Sequence, residues 1–129
     1  MAVVIGFIPD QYGEAALAHG LDEAQRRHTD VVVVNSTKGD ALVDKRYLGA
    51  EGKVTLEQRL AESGVDYELR QTMGRDIADE ILSIATEVGA DAIVIGIRHR
   101  TPVGKLIMGS VAQRIIIDAA CPVIAVKPG

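Results

Sequence analysis

The stretch DIADEILSIATEVGADAIVIG, residues 76–96, decides the fold class. Asp76 is placed to cap the amino end of a helix, and Gly89 stands where helices commonly stop. Ala92–Ile95 is a short apolar run, typical of a strand that is buried on both faces. A helix followed at once by a buried strand is the repeating unit of an α/β sheet. The helix is indicated by apolar residues at three- and four-residue spacing, namely Ile77, Ile81, Ile84, Ala85 and Val88.

The same alternation runs along the rest of the 129 residues. Strands that alternate with helices indicate right-handed crossovers and a doubly wound parallel sheet with helices on both faces. The irregular stretch 35–52 is predicted to be a loop, and no repeat or linker divides the chain, so we expect one domain over residues 1–129. The further predicted strands are Ala2–Ile8, Val31–Val34, Val65–Arg70 and Val123–Val126, and the further predicted helices are Glu14–His28, Lys53–Ser63 and Ser110–Ala119.

Composition narrows the function classes. Aromatic residues make up only 3% of the chain, which argues against single-stranded nucleic-acid binding, because such sites stack bases on aromatic rings. A net charge of −4 argues against binding to duplex DNA or an anionic membrane. The single cysteine, Cys121, allows no intramolecular disulfide and no zinc cluster. Without a signal peptide or an apolar run near the ~20 residues of a membrane span, we expect a cytoplasmic protein.

A basic segment, GIRHRTPVGKLIMGS at residues 96–110, follows the strand Ala92–Ile95. It contains three glycines and no acid in a chain that is net acidic. Ser110 and Gln113 have the S-x-x-Q spacing of a capping box, so the last helix is predicted to begin with Ser110 as its cap. The amino end of a helix carries roughly half a positive charge and binds phosphate readily. The segment is therefore predicted to bind an anion, with cations supplied by Arg98, Arg100 and Lys105.

Two common phosphate-binding motifs do not occur in the sequence. Gly104-Lys105 is followed by Leu106, and His99 stands five residues before Gly104, so the segment is not a Walker P-loop. No G-x-G-x-x-G follows the first predicted strand, which leaves dinucleotide binding without support.

The basic segment instead resembles the nucleotide-binding signature of the universal stress proteins, G-x2-G-x9-G-(S/T). Gly96 matches the first glycine and Gly109-Ser110 match the last pair, whereas His99 occupies the position of the second glycine. The stretches GRD at 74–76, GADAIVIG at 89–96 and CPVIAV at 121–126 resemble the same family. The resemblance covers nearly the whole chain and is strongest from Gly64 onward.

This resemblance implies a five-stranded sheet of order 3-2-1-4-5 in a homodimeric regulatory protein of the stress response that binds ATP or AMP, with Mg accompanying ATP. The adenine would lie near Pro9 and Val34. ATP-binding members usually carry an acid at the end of the first strand, where this chain has Ile8. The expected ligand-binding residues are Pro9, Asp10, Val34, Gly96, Arg98, His99, Arg100, Lys105, Gly109, Ser110 and Val111.

Simpler roles stay open for several of these residues. Gly96 could have the purely structural role of connecting the strand to the following loop, and Gly109-Ser110 could have the purely structural role of starting a helix. Asp10 could contact a ribose or serve as a turn residue after Pro9. The three cations could form a solvated loop, and His99 has no neighbouring partner that would make it a catalytic base.

Two functions other than that of a nucleotide-binding dimer are also compatible with the sequence. One is a nucleotide-free dimer that acts only through protein contacts. The other is a weak ATPase, although its acids would have to come from Asp10, Asp40 or Asp44, none within a known motif. In either dimer we expect the partner to pair with the last strand, because a bare apolar edge strand is an aggregation hazard. That strand comprises Val123, Ile124, Ala125 and Val126.

Overall fold

The computed structural model describes residues 2–37, 47–97 and 109–128. Neighbouring strands of its single described sheet run parallel in the order β3-β2-β1-β4-β5, which confirms the predicted fold. The strands are β1 (Ala2–Gly6), β2 (Asp30–Thr37), β3 (Tyr67–Met73), β4 (Ala92–Gly96) and β5 (Val123–Val126). The helices are α1 (Gln11–Arg27), α2 (Ala50–Glu62), α3 (Ile77–Val88) and α4 (Ser110–Asp118).

The central strands are buried on both faces. Alternate side chains of β1 and β2 enter two separate apolar clusters, as the two-residue period of a strand requires. Val3 and Val31 pack in the cluster that α1 and α2 complete, whereas Val4 and Val32 pack in the cluster that α3 and α4 complete. Helices therefore cover both faces of the sheet, as predicted.

Helix α3 has the predicted signals at both ends. The carboxylate of Asp76 accepts a hydrogen bond of 3.0 Å from the Asp79 amide, which caps the amino end. Gly89 ends the helix with φ 62°, in the left-handed region that glycine adopts without a steric penalty.

The predicted loop at residues 35–52 was too long at both ends. β2 continues through Asn35 to Thr37, and α2 already begins at Ala50. The polar end of β2 is stabilised by pairing with β3, where Ser36 faces Thr72 in register. An apolar pattern does not mark such an extension, because the pairing comes from a distant part of the chain. Residues 38–46 of the predicted loop lie outside the described residues.

The order of the strands creates a crevice at the carboxyl end of the sheet. β1 lies between β2 and β4, so the chain winds towards one edge from β1 to β3 and towards the other from β4 to β5. The strand order therefore reverses between β1 and β4. Ligands of open α/β sheets bind at such a reversal point.

Candidate functional site

A cavity of about 330 Å³ opens at the carboxyl ends of β1, β2 and β4. Gly6, Val34 and Gly96 border it at the three strand ends, and Ile81 of α3 and Val111 of α4 border it on one face of the sheet. Small-ligand sites commonly have volumes of roughly 300–1,000 Å³. The cavity therefore has the size and the position of a ligand site in this fold.

The structure brings part of the predicted site together around this cavity. Pro9 and Ser110 are exposed and are not among the residues that line it. The predicted residues that line it are Asp10, Val34, Gly96, Gly109 and Val111. The other predicted residues, Arg98, His99, Arg100 and Lys105, lie outside the described residues.

The predicted capping box at the start of α4 was wrong. Gly109, not Ser110, is the cap residue, and no side chain makes a capping hydrogen bond there. Ser110 is instead the first residue of the helix, so its hydroxyl is misplaced for the capping role that the S-x-x-Q spacing indicated. The amide groups of a first helical turn have no partner within the helix. At α4 they lie beside the cavity, because Gly109, Val111 and Ala112 line it.

The two glycines that border the cavity have different surroundings. A Cβ atom on Gly96 would lie 2.3 Å from the carbonyl oxygen of Tyr12, so a side chain there would collide with the backbone of α1. A Cβ atom on Gly109 would meet no atom of the described residues within 4 Å. Gly96 therefore lets α1 lie directly over the end of β4, whereas no described residue packs against the Cβ position of Gly109.

Comparisons with known proteins bear on this site. The sequence model of the Universal stress protein family matches residues 1–127. The chain belongs to the universal stress protein family. A universal stress protein of Mycolicibacterium smegmatis is 47% identical over 126 residues, which cover 98% of this chain and 97% of that protein.

Two solved structures from the same family superpose along nearly the full chain. A universal stress protein from Archaeoglobus fulgidus matches with a TM-score of 0.79 and 36% identity, covering 98% of both chains. A universal stress protein from the same organism, in complex with dAMP, matches with a TM-score of 0.69 and 28% identity, again over 98% of both chains.

In this member of the family, Asp10 has a structural role that the sequence analysis missed. Its Oδ1 atom accepts hydrogen bonds of 2.9 Å from the amides of Tyr12 and Gly13 and so caps α1. The helix consequently begins at Gln11 rather than at the predicted Glu14. The signal was present, since an aspartate directly after Pro9 is a common helix start, but the helical spacing of apolar residues begins only later.

The end of β2 adds a polar residue that was not predicted. Val34, which the resemblance places near the adenine, borders the cavity, and its carbonyl accepts a 2.9 Å hydrogen bond from the Phe7 amide. Two residues further along, Ser36 also lines the cavity, and its side chain is on the same face of the strand. A serine directly after a run of valines was the available signal, but the strand was predicted to stop before it.

Arg114 fixes α4 against α3 close to the cavity. Its Nη1 atom lies 3.1 Å from Asp76 Oδ1, its Nη2 atom bonds Asp79, and its Nε atom lies 3.5 Å from Asp118 Oδ2. The hydrogen bond to Asp79 raises the pKa of the Arg114 guanidinium, a group that is charged at physiological pH in any protein environment. Because Asp76 also caps α3, this half-exposed cluster links α4 to the start of α3.

Within residues 2–37, 47–97 and 109–128, no group of three or more His, Cys, Asp or Glu side chains is arranged to hold a metal ion. None of the helices in that part of the chain is long and apolar enough to cross a bilayer.

Proposed function

We propose that this protein is a nucleotide-binding regulator of the stress response and that it binds AMP or ATP in the cavity between β1 and β4. The observation that carries the proposal is the uncapped amino end of α4 at the edge of that cavity. Free amides and the positive end of the helix dipole favour a phosphate there. The dAMP complex of the related Archaeoglobus fulgidus protein supports the same ligand class.

The proposed ligand lies across the sheet. Its phosphates contact the backbone at Gly96, Gly109 and Val111, where a side chain on Gly109 would occupy their space. Its base lies at the end of β2, beside Val34 and the apolar side chain of Ile81. β2 and β4 are the two neighbours of β1, so their ends are about 10 Å apart at ordinary strand spacing. A nucleoside monophosphate can span that separation.

The basic segment supplies the positive charge for the proposed phosphates. Arg98, Arg100 and Lys105 neutralise them, and His99 flanks them at the position that holds glycine in the family signature. Mg would reach the site on the phosphates of ATP, since Mg usually keeps several waters and binds through phosphate oxygens. Asp10, which lines the cavity, borders the ribose end of the same ligand, and Pro9 precedes it in the chain.

We propose binding without catalysis. Phosphoryl transfer needs a carboxylate that holds a metal and a placed base or water. The carboxylate of Asp10, at the cavity, already caps α1 through one oxygen. The runner-up functions are a nucleotide-free dimer and a weak ATPase.

The test is calorimetric titration of the purified wild-type protein with AMP and with ATP plus Mg, together with mass analysis of any ligand released on denaturation. We expect one nucleotide per chain with a Kd in the micromolar range. The absence of binding at millimolar nucleotide would contradict the proposal and favour the nucleotide-free dimer. Steady phosphate release from ATP, well above background, would favour the ATPase.

We further propose that the protein is a homodimer that pairs through β5, residues Val123, Ile124, Ala125 and Val126. β5 is an edge strand of the described sheet, and α4 directly before it exposes Ile117 to 72%. Exposed apolar edges of this kind are usually covered. The carbonyl of Val126 accepts a 2.8 Å hydrogen bond from the Ile97 amide, so the neighbouring residue Ala125 directs its backbone groups to the free edge.

Replacing Ala125 with proline tests this dimer. The substitution removes an edge amide that does not pair with β4, and a proline at such a position is tolerated within an edge strand. We expect sedimentation equilibrium to give a dimer for the wild type and a monomer for Ala125→Pro, with nucleotide affinity retained. A wild type that is monomeric across micromolar concentrations, or a variant that stays dimeric, would overturn the proposed interface.

A further inference from the structure

Two hydroxyl groups form a pair at the end of β2 and β3. Ser36 and Thr72 face each other in register on the two strands, and the Thr72 hydroxyl donates a 2.9 Å hydrogen bond to Ser36 Oγ. Ser36 is only 3% exposed, although it lines the cavity. Ser36 therefore belongs to the cavity wall, and Thr72 contacts it from the neighbouring strand β3.

The position of Ser36 follows from the unequal lengths of β1 and β2. Gly6, the last residue of β1, pairs with Val34, so Ser36 extends two residues past the end of its neighbour. Its side chain is on the same face as that of Val34, and the surrounding cavity wall is largely apolar, with Ile77 and Ile81 from α3. A buried hydroxyl in an apolar wall is costly unless it has a hydrogen-bond partner.

The hydrogen bond from Thr72 leaves the Ser36 hydrogen without an assigned acceptor among the described residues. A serine hydroxyl has one hydrogen to donate and can accept two hydrogen bonds. Since Ser36 Oγ accepts from Thr72, its own hydrogen can be directed towards a ligand. The ligand atom that suits this hydrogen is an acceptor, such as a ring nitrogen of a purine.

We infer that Ser36, oriented by Thr72, is a specificity-determining residue that donates a hydrogen bond to a ring nitrogen of the bound purine. This inference rests on the nucleotide-binding function proposed above and assigns the base-recognising end of the same cavity. Gly96, one of the residues proposed to contact the phosphates, ends β4 on the other side of β1 from β2, about 10 Å away at ordinary strand spacing, so one small group cannot contact both ends. Ser36 is therefore placed to recognise the base and not the phosphate.

Thr37 provides a matched control. It is the next residue of β2, its side chain is on the opposite face, and its hydroxyl is fully buried with no hydrogen-bond partner among the described residues. Thr37→Val removes a buried hydroxyl from the same strand without changing the cavity wall. Ser36→Ala and Thr72→Val remove the two members of the pair.

The experiment is calorimetric titration of these variants with AMP and with three AMP analogues in which ring nitrogen N1, N3 or N7 is replaced by CH. We expect Ser36→Ala to weaken AMP binding about tenfold, because it removes the hydrogen bond to the base. We expect Thr72→Val to weaken AMP binding about threefold, because it removes only the group that orients Ser36. Thr37→Val should bind AMP like the wild type. One of the three analogues lacks the nitrogen that Ser36 contacts. The wild type and Ser36→Ala should bind that analogue with equal affinity.

The outcomes separate this inference from the proposed function. Equal AMP affinity of the wild type and Ser36→Ala would overturn the role of Ser36 while leaving nucleotide binding intact. The same would follow if Ser36→Ala weakened AMP and all three analogues by one common factor, since that pattern indicates a general disturbance of the cavity. A wild type that binds no AMP would overturn both proposals.

Discussion

The end of β4 and the start of α4 each present a glycine to the same cavity, but the two glycines have different neighbours. At Gly96 the backbone of α1 lies so close that a Cβ atom would be 2.3 Å from the Tyr12 carbonyl oxygen. At Gly109 no atom of the described residues lies within 4 Å of the Cβ position. The fold itself requires the first glycine, whereas nothing in the described packing requires the second.

This difference separates evidence for the fold from evidence for the ligand. A glycine that the helix–sheet contact demands would be present whether or not a nucleotide binds. At Gly109 the described residues leave space beside an uncapped helix end, and this is where we propose that the phosphate binds. Gly109 is therefore the residue at which the proposed ligand can be tested apart from the fold, although both residues match the family signature.

The largest effect on stability is expected for Gly96→Ala. The added methyl group would meet backbone atoms of α1, which cannot rotate away as a side chain would, so the helix must shift from β4. We expect a loss of about 3 kcal/mol in the free energy of unfolding, measured by urea denaturation. A loss below about 1 kcal/mol would show that the contact between α1 and β4 is not tight.

The matching substitution Gly109→Ala should have a much smaller effect on stability. Gly109 has φ −63° and ψ 155°, which any residue adopts, and its Cβ position is open. We expect a change of less than about 1 kcal/mol, the range for a change of cap residue, in the same urea measurement. If Gly109→Ala destabilised the protein as much as Gly96→Ala, the proposed difference between the two glycines would be wrong.

Much of the fold could be predicted because it follows from local apolar patterns. The valine run of β2 and the spaced isoleucines of α3 place the elements, and their alternation implies a parallel sheet. The predicted end of β2 was wrong because it depends on a distant contact. β2 runs on to Thr37 because β3 pairs with it, and the apolar pattern of β2 has already ended there.

The site was predictable only in part, for similar reasons. The family signature located Gly96 and Gly109, but it could not show that α1 packs against one and not the other. The S-x-x-Q spacing placed the cap at Ser110, whereas the cap residue is Gly109, one position earlier. Ser36 was missed because it lines the cavity only where β2 extends past the end of β1. This difference in strand length is a property of the assembled sheet.

The most direct test of the central claim compares Gly109→Trp with Gly49→Trp. Gly49 is the cap residue of α2, also without a side-chain cap, with φ −70° and an open Cβ position, but it does not line the cavity. In calorimetric titrations with AMP, we predict that Gly109→Trp weakens binding at least ~100-fold, about 2.7 kcal/mol, while Gly49→Trp stays close to the wild type. Equal AMP affinity for Gly109→Trp and the wild type would contradict phosphate binding at the start of α4.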